Sequence, residues 1–206
     1  MTAKPPPSRT RMPRAEREAQ MLEAAERVFG SRGFQATTME EIADQVGVTK
    51  PLIYDYFGSK EGLLAATIER ARHQLLAAVI TAWESNPDVT PRLRVREVIT
   101  AFFEFIDDHD RGFALLRTEG ALIGEAAASV ERIRQQTAKA LAEGITMLPG
   151  FAELPSRRLV PLVEVIIGGI ERLAVYRSES PGMTAQEAAE LVVTTTWDGL
   201  ASLEKA

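Results

Sequence analysis

The sequence predicts an all-α protein with a small N-terminal three-helix domain and a larger helical C-terminal domain. Apolar residues recur at helical spacing along most of the chain, and no stretch alternates as a half-buried β-strand does. Capping boxes, with Thr38 three residues before Glu41 and Thr184 three residues before Glu187, specify the starts of two helices. With 206 residues, 45% of them hydrophobic, the chain is long enough to bury a sizeable core.

The predicted N-terminal domain spans residues 15–62 and starts with a helix from about Ala15 to Gly30. A glycine directly after the last apolar position is a common helix end, so we expect this helix to stop at Gly30. Its apolar face should brace the helices that follow. The residues of this face are Met21, Leu22, Ala25, Val28 and Phe29.

Residues 37–60 contain two short helical segments that meet at Gly47. Gly47 suits a tight turn with positive φ, and the small Ala43 lets the second segment approach closely. Thr49 is the expected N-cap of the second segment, which tolerates Pro51 in its first turn. The expected inward-facing residues are Ile42, Ala43, Val46, Ile53 and Phe57. This is the outline of a helix-turn-helix, whose second helix reads DNA.

The outer face of the second segment favours a DNA-binding role. It carries Lys50, Leu52, Tyr54, Asp55 and Tyr56, whereas a purely structural helix pair would more often carry Glu and Lys pairs there. Tyrosine and lysine side chains suit phosphates and base edges. A generic helical hairpin is the alternative. The candidate DNA-binding residues are Arg9, Arg11, Thr38, Thr49, Lys50, Leu52, Tyr54, Tyr56 and Lys60.

Positive charge is concentrated at the N-terminus. The net charge is −5, yet the first fifteen residues contain four basic residues and no acidic one. Residues 1–14 are therefore predicted to form a disordered basic arm, kept extended by Pro5, Pro6 and Pro7, that a DNA duplex can neutralise. An idle solvated tail is the alternative.

The predicted C-terminal domain spans residues 63–206 and begins inside a long helix that Ser59 caps and that runs toward Trp83. The helix predicted over 157–176 is apolar around nearly its whole circumference, so it should be buried on two sides. The other predicted elements are helices over 92–106 and 126–145, a short apolar segment over 113–116, and a last helix after Thr184.

Residues 14–68 resemble the TetR-like (tetracycline-repressor-like) bacterial transcription regulators. The matching residues are Gly33-Phe34, Thr37-Thr38, Ile42-Ala43, Gly47-Val48-Thr49-Lys50, Ile53-Tyr54-Asp55-Tyr56-Phe57 and Ser59-Lys60-Glu61. The match departs at Gly62, where such proteins usually carry a helix former and where glycine costs ~1 kcal/mol of helix propensity. The resemblance implies a homodimeric repressor that binds a palindromic double-stranded DNA operator and is released by a hydrophobic or lipid-like small molecule.

The resemblance also implies a ligand cavity in the C-terminal domain. An ordinary apolar core is the alternative for most of the phenylalanines. Polar anchors for a ligand could be Glu104, Arg117 and Glu164, each of which could instead be an exposed or paired helix charge. The candidate ligand-binding residues are Trp83, Phe102, Phe103, Ile106, Phe113, Leu116, Arg117, Ile123, Ile133, Met147, Val163 and Ile167.

The last two predicted helices are, by the same resemblance, those that pair with their symmetry mates in a four-helix dimer interface. Small residues on both helices permit a close approach, and the internal core of a monomer is the alternative. The candidate interface residues are Val163, Ile166, Gly169, Ile170, Leu173, Ala189, Val192 and Thr196.

Other function classes receive little support from the sequence. Cysteine is absent, and His73 and His109 are isolated, so neither a nucleophile nor a metal motif is visible. The acidic run beside His109 is expected to be a solvated turn. We expect no enzyme activity, cofactor, metal or membrane partner, and a cytoplasmic location, since the N-terminus lacks the apolar region of a signal peptide. A small-molecule-binding or multidrug-sensing module without gene control stays as an alternative.

Overall fold

The computed structural model describes residues 12–109, 124–148, 151–153, 155–180 and 182–203. All regular secondary structure in these ranges is α-helical, which confirms the predicted fold class. The helices are α1 (Arg14–Ala36), α2 (Met39–Val46), α3 (Lys50–Phe57), α4 (Lys60–Ser85), α5 (Pro91–Asp108), α6 (Gly124–Thr146), α7 (Ser156–Glu179) and α8 (Ala185–Leu203). None of them combines the length and apolar composition needed to cross a membrane.

The end of α1 differs from the prediction. The helix continues through Gly30 and breaks at Gly33, whose φ of 76° and ψ of 166° are not helical. Only glycine adopts such a conformation without strain, so Gly33 rather than Gly30 ends the regular part of the helix. Beyond the break, the Phe34 ring returns to pack at 5.9 Å from Phe29, and the Thr37 hydroxyl donates to the Gly33 carbonyl at 2.8 Å.

The helix-turn-helix forms as predicted. The Glu41 amide donates to the Thr38 hydroxyl at 3.3 Å, and the Thr38 amide donates to the Glu41 carboxylate at 3.0 Å, which completes the capping box. Gly47 ends α2 in the left-handed conformation, with φ 73° and ψ 37°. Thr49 is the N-cap of α3, the residue just before its first turn, but its side chain makes no capping hydrogen bond.

One hydrophobic core joins α1, α2, α3 and the first half of α4. Residues Leu63, Leu64 and Ile68 of α4 are completely buried in it. The other large members are Met21, Phe29, Ile42 and Ile53. The predicted domain boundary after residue 62 therefore falls inside a continuous helix whose first turns complete the N-terminal core.

The junction between α3 and α4 is tight at Gly62. Ser59 caps α4, since its hydroxyl accepts from the Gly62 amide at 2.9 Å. A Cβ atom at position 62 would lie 2.2 Å from the carbonyl oxygen of Phe57, at the end of α3. Glycine is therefore required here by a close backbone approach.

The C-terminal helices surround three further hydrophobic cores. α5 packs along α4 and α8, and α6 packs against α4 and α7. Phe103 of α5 is completely buried against α8, where Ala188 and Val193 are also inaccessible. Ala138 and Leu159 are the fully buried contacts between α6 and α7. Helix α8 starts with the predicted capping box, because the Thr184 amide donates to Glu187 at 2.8 Å and the Glu187 amide donates back at 3.1 Å.

Candidate nucleic-acid interface and ligand cavity

Helix α3, the second helix of the helix-turn-helix, is anchored by one side and exposed on the other. Ile53 is completely buried in the N-terminal core, while the next residue, Tyr54, is 38% exposed. Asp55 is exposed beside it. The helix can therefore present Tyr54 to a DNA groove without losing its contact with the core.

Two residues of the predicted outer face lie partly inside. Leu52 and Tyr56 pack against the N-terminal core. The Tyr56 ring lies 6.0 Å from the Phe57 ring and is covered by the Arg14 guanidinium at 4.5 Å. Leu52 and Tyr56 can thus offer DNA only their outer edges, because their other edges are held by the protein.

The cations near α3 have partners within the protein. Lys50 is hydrogen-bonded to Glu40 of α2, and Lys60 lies 4.5 Å from the Phe34 ring. The bond with Glu40 raises the pKa of the Lys50 ammonium, and the same bond holds the pKa of the Glu40 carboxyl below its usual value. Both groups are therefore charged at neutral pH.

The remaining candidate DNA-binding residues differ in availability. The Thr38 hydroxyl is used in the capping box. Thr49 is exposed, and its side chain takes no part in capping, so its hydroxyl can turn toward a phosphate. Arg9 and Arg11 lie outside the described residues.

A cavity of about 140 Å³ lies in the C-terminal half, between α4, α5, α6, α7 and α8. Among the residues that the structure describes, its lining contains no charged side chain, and Thr196 is the one polar residue in it. The lining residues are Val79, Trp83, Val95, Val98, Ile99, Phe102, Leu141, Ile145, Val163, Ile166, Ile167, Ile170 and Thr196. Such a lining suits an apolar guest.

The structure places four candidate ligand-binding residues in the cavity wall, namely Trp83, Phe102, Val163 and Ile167. Phe103 and Ile106 instead fill the core between α5 and α8, and Met147 is 76% exposed. Phe113, Leu116, Arg117 and Ile123 lie outside the described residues, as does the side chain of Ile133 in α6.

Several residues of the cavity wall were not predicted from the sequence. Leu141 and Ile145 are examples, although their i, i+4 spacing on a helix was a usable signal. Val79 and Trp83 have the same spacing on α4. Val79, Leu141 and Ile145 are aliphatic, whereas the prediction favoured aromatic residues such as Trp83 and Phe102.

The proposed polar anchors are used elsewhere. Glu104 accepts a hydrogen bond from Gln186 of α8 at 2.8 Å, and Glu164 pairs with Arg134 of α6 at 3.5 Å. Neither carboxylate lines the apolar cavity. Both link neighbouring helices on the outside of the bundle.

The candidate dimer residues mostly face inward. Val163, Ile166, Ile170 and Thr196 line the cavity, Ala189 is fully buried, and Leu173 and Val192 pack in the core between α5 and α8. Gly169 alone of this set is exposed, with open space around a Cβ built on it. Among the described side chains of α7 and α8, the large apolar residues that face outward are Val165 at 72%, Tyr176 at 52% and Leu191 at 49% exposure.

The described acidic residues beside His109, Asp107 and Asp108, are the last two residues of α5, and this end of the helix makes structural contacts. Asp107 bonds Arg177 of α7 at 2.9 Å, and the His109 ring stacks on Phe105 at 4.1 Å. No cluster of three or more potential metal ligands occurs among the residues that the structure describes.

A helix-turn-helix that shares one continuous helix with a helical domain enclosing an apolar cavity defines a transcription regulator. The family described as "Bacterial regulatory proteins, tetR family" matches residues 21–67, and "Tetracyclin repressor-like, C-terminal domain" matches residues 91–199. The chain belongs to the TetR family. It is a regulator and not an enzyme.

Two relatives match along most of the chain. The HTH-type transcriptional activator FasR of Mycolicibacterium smegmatis is 30% identical over 191 residues, which are 92% of this chain and 85% of that protein. A TetR-like regulator from Rhodococcus sp. RHA1 superimposes with a TM-score of 0.68 at 30% identity and covers 93% of this chain and 99% of its own.

A second solved structure shows a likeness of fold alone. It is the transcriptional regulator FadR from Bacillus subtilis in complex with stearoyl-CoA. The TM-score is 0.70 at 18% identity, and the match covers 85% of this chain and 95% of that one.

Proposed function

We propose that this regulator binds a palindromic operator as a homodimer and is released from it by an apolar small molecule. The observation that carries the proposal is the cavity beside α4, whose described wall has no charged side chain. The same helix completes the DNA-binding core. The protein would act in the cytoplasm, where its operator is.

On the DNA side, α3 is proposed to enter the major groove. Lys50, Tyr54 and Thr49 are the side chains at its start and outer face that can reach bases or phosphates, while Thr38 and Lys60 flank it. Arg9 and Arg11 of the basic arm would add sequence-independent contacts to phosphates or to a minor groove.

On the effector side, the cavity favours a hydrocarbon-like guest. Its volume of about 140 Å³ is below the ~300 to 1,000 Å³ of common ligand sites, so a drug-sized molecule must widen it. An alkyl chain suits this apolar lining, and a long one must widen the cavity as well. The fold neighbour FadR was solved with stearoyl-CoA, which supports fatty acids and acyl thioesters as the first compounds to test.

Two helices connect the cavity with the DNA-binding core. Val79 and Trp83 of α4 line the cavity, and Leu63 of the same helix is buried in the N-terminal core. Helix α6 makes a second connection, since Leu141 lines the cavity and Ala127 packs against the N-terminal core. A guest that parts these helices would move the two reading helices of a dimer relative to each other.

The effect on transcription depends on where the operator lies. A regulator bound across a promoter represses, whereas one bound upstream can recruit polymerase, and the relative FasR is named an activator. Repression is the proposal here, and the release of DNA by the effector is the step that the cavity supports.

Selection from a random duplex library tests the DNA half of the proposal. The full-length protein should enrich a palindromic consensus. Enrichment of no sequence would favour a small-molecule-binding protein without gene control.

Titration of fatty acids, acyl thioesters and hydrophobic drugs against the operator complex tests the effector half. A guest should raise the melting temperature of the free protein and lower its operator affinity. Val98→Phe fills the cavity and should abolish this response while operator binding persists. Ile80→Phe, on the exposed side of α4, is the control and should respond like the wild type.

A further inference from the structure

We propose that Glu40 determines how strongly this regulator discriminates its operator from other DNA. Its carboxylate holds the Lys50 ammonium at the edge of the DNA-binding surface and opposes phosphates that approach it. The inference rests on the proposed role of Lys50 in DNA binding.

The geometry places an acidic group where a DNA reader needs a cation. Glu40 lies in the first turn of α2, and Lys50 is the first residue of α3. The two side chains form a hydrogen-bonded ion pair across the helix-turn-helix, although 61% and 41% of their surfaces stay exposed. The Lys50 ammonium is also 5.9 Å from the ring of Tyr54, the exposed aromatic residue of α3.

Glu40 contributes only an exposed ion pair and a first-turn charge to the fold. The adjacent Glu41 completes the capping box with Thr38 and pairs with Arg32. Glu40 takes no part in that box, and its side chain is not in the core. Its replacement should therefore lower the stability of the domain only slightly and leave α2 folded.

The ion pair acts differently on the two kinds of DNA. On DNA of any sequence, the Glu40 carboxylate repels phosphates and neutralises Lys50, which weakens the electrostatic part of binding. On the operator, Lys50 must reach one acceptor at a defined position, and the pair has already ordered its flexible side chain near Tyr54. The repulsion by Glu40 therefore weakens binding to all DNA, whereas the ordering of Lys50 strengthens binding to the operator alone.

Glu40→Gln in the full-length protein is the test, with Asp44→Asn as the matched control. Asp44 is an exposed acid one turn further along α2, and none of the ion pairs seen in the described residues includes it. Affinities for the operator and for a random duplex of equal length are measured over a series of salt concentrations. Melting curves verify that both variants are folded.

Glu40→Gln should raise the affinity for random duplex about fivefold at low salt and that for the operator less than about twofold. The specificity ratio, which is the operator affinity divided by the affinity for random duplex, should therefore fall. On random duplex, the slope of log affinity against log salt should steepen by about the amount that one phosphate contact contributes. Asp44→Asn should raise both affinities by the same smaller factor and leave the ratio unchanged.

A double-mutant cycle with Lys50→Gln shows whether Glu40 acts through Lys50. In the Lys50→Gln background, Glu40→Gln should no longer change the ratio. An unchanged ratio in the single variant, or an equal change in both backgrounds, overturns the inference and leaves the proposed function standing. Full operator affinity in Lys50→Gln alone would instead remove the role of Lys50 and the inference with it.

Discussion

Adjacent residues of α3 have opposite tasks. Tyr54 is 38% exposed, whereas Ile53 is completely inaccessible in the N-terminal core. A change at Tyr54 should alter DNA binding alone, and a change at Ile53 should alter stability first.

Tyr54→Ala should weaken operator binding by about 1 to 3 kcal/mol with little change in melting temperature, because it removes a contact at the DNA surface. Ile53→Ala should lower the free energy of unfolding by about 2 to 5 kcal/mol, because it leaves a cavity in the core. Fluorescence anisotropy with operator DNA and thermal melting measure the two effects. If Tyr54→Ala lowered the melting temperature and Ile53→Ala weakened only operator binding, α3 would present a different face to DNA.

Gly62 provides a second contrast at the residue scale. Alanine in a helix is ordinarily more stable than glycine by ~1 kcal/mol, so sequence alone makes Gly62 a weakness. In the structure, a Cβ there would lie 2.2 Å from the Phe57 carbonyl oxygen. The backbone would have to move to make room.

We therefore expect Gly62→Ala to lower the melting temperature. The control is Gly144→Ala in α6, where the new Cβ would lie 3.9 Å from the Trp83 ring, an ordinary contact. Gly144→Ala should stabilise the protein by about 0.5 to 1 kcal/mol. Thermal melting of the two variants decides, and stabilisation by Gly62→Ala would refute the close approach.

At the scale of helices, α6 connects the two halves of the protein. Ala127 near its start packs against the N-terminal core, and Leu141 and Ile145 near its end line the cavity. Fourteen residues of helix separate Ala127 from Leu141, a distance of about 21 Å at 1.5 Å per residue. A regular helix of this length transmits a displacement at one end to the other.

Ala127→Glu should reduce the coupling between effector and operator, because a longer charged side chain displaces α6 from the N-terminal core. The free energy of coupling, expected at ~1 to 3 kcal/mol in the wild type, should fall toward zero while each ligand still binds alone. Titration of the effector with and without operator measures it. Ala128→Glu, at the exposed neighbouring position, should couple normally. If both variants kept the full coupling, α4 alone would connect effector binding to operator binding.

The sequence predicted the helices more completely than the faces they bury. Capping boxes and turn glycines depend on only four or five neighbouring residues. The predicted starts of α2 and α8 and the predicted turn at Gly47 are therefore confirmed. The end of α1 was wrong because Gly30 and Gly33 offer the same local signal, and only the packing of Phe34 distinguishes them.

Cavity and surface assignments depend on how helices turn toward one another. In α7, Glu164 and Glu171 mark only the side that faces α6, so the outward-facing Val165 and the inward-facing Ile166 look alike in sequence. The aromatic residues raise the same difficulty, since Phe102 lines the cavity and Phe103 fills a core.

For the whole molecule, the exposed side chains of α7 and α8 suggest how two copies meet. Val165 and Tyr176 of α7 and Leu191 of α8 leave much apolar surface in water. Gly169, between the first two, leaves open space for a close helix approach. A second copy related by twofold symmetry would cover this surface.

Val165→Glu should therefore produce a monomer, since it would place a carboxylate in each half of the proposed apolar interface. Operator affinity should fall steeply, because the two half-sites are no longer read together. Ile80→Glu, which changes an exposed apolar residue of α4, should leave the dimer intact. Sedimentation velocity at micromolar concentration measures both, and a wild-type monomer would contradict the proposed assembly.

The continuity of α4 also governs how the protein unfolds. This helix of 26 residues supplies Leu63, Leu64 and Ile68 to the N-terminal core and Val79 and Trp83 to the cavity wall. Neither half can lose its structure without exposing part of a helix on which the other depends. We expect a single calorimetric transition for the whole chain, so that a guest in the cavity also protects the DNA-binding helices from melting.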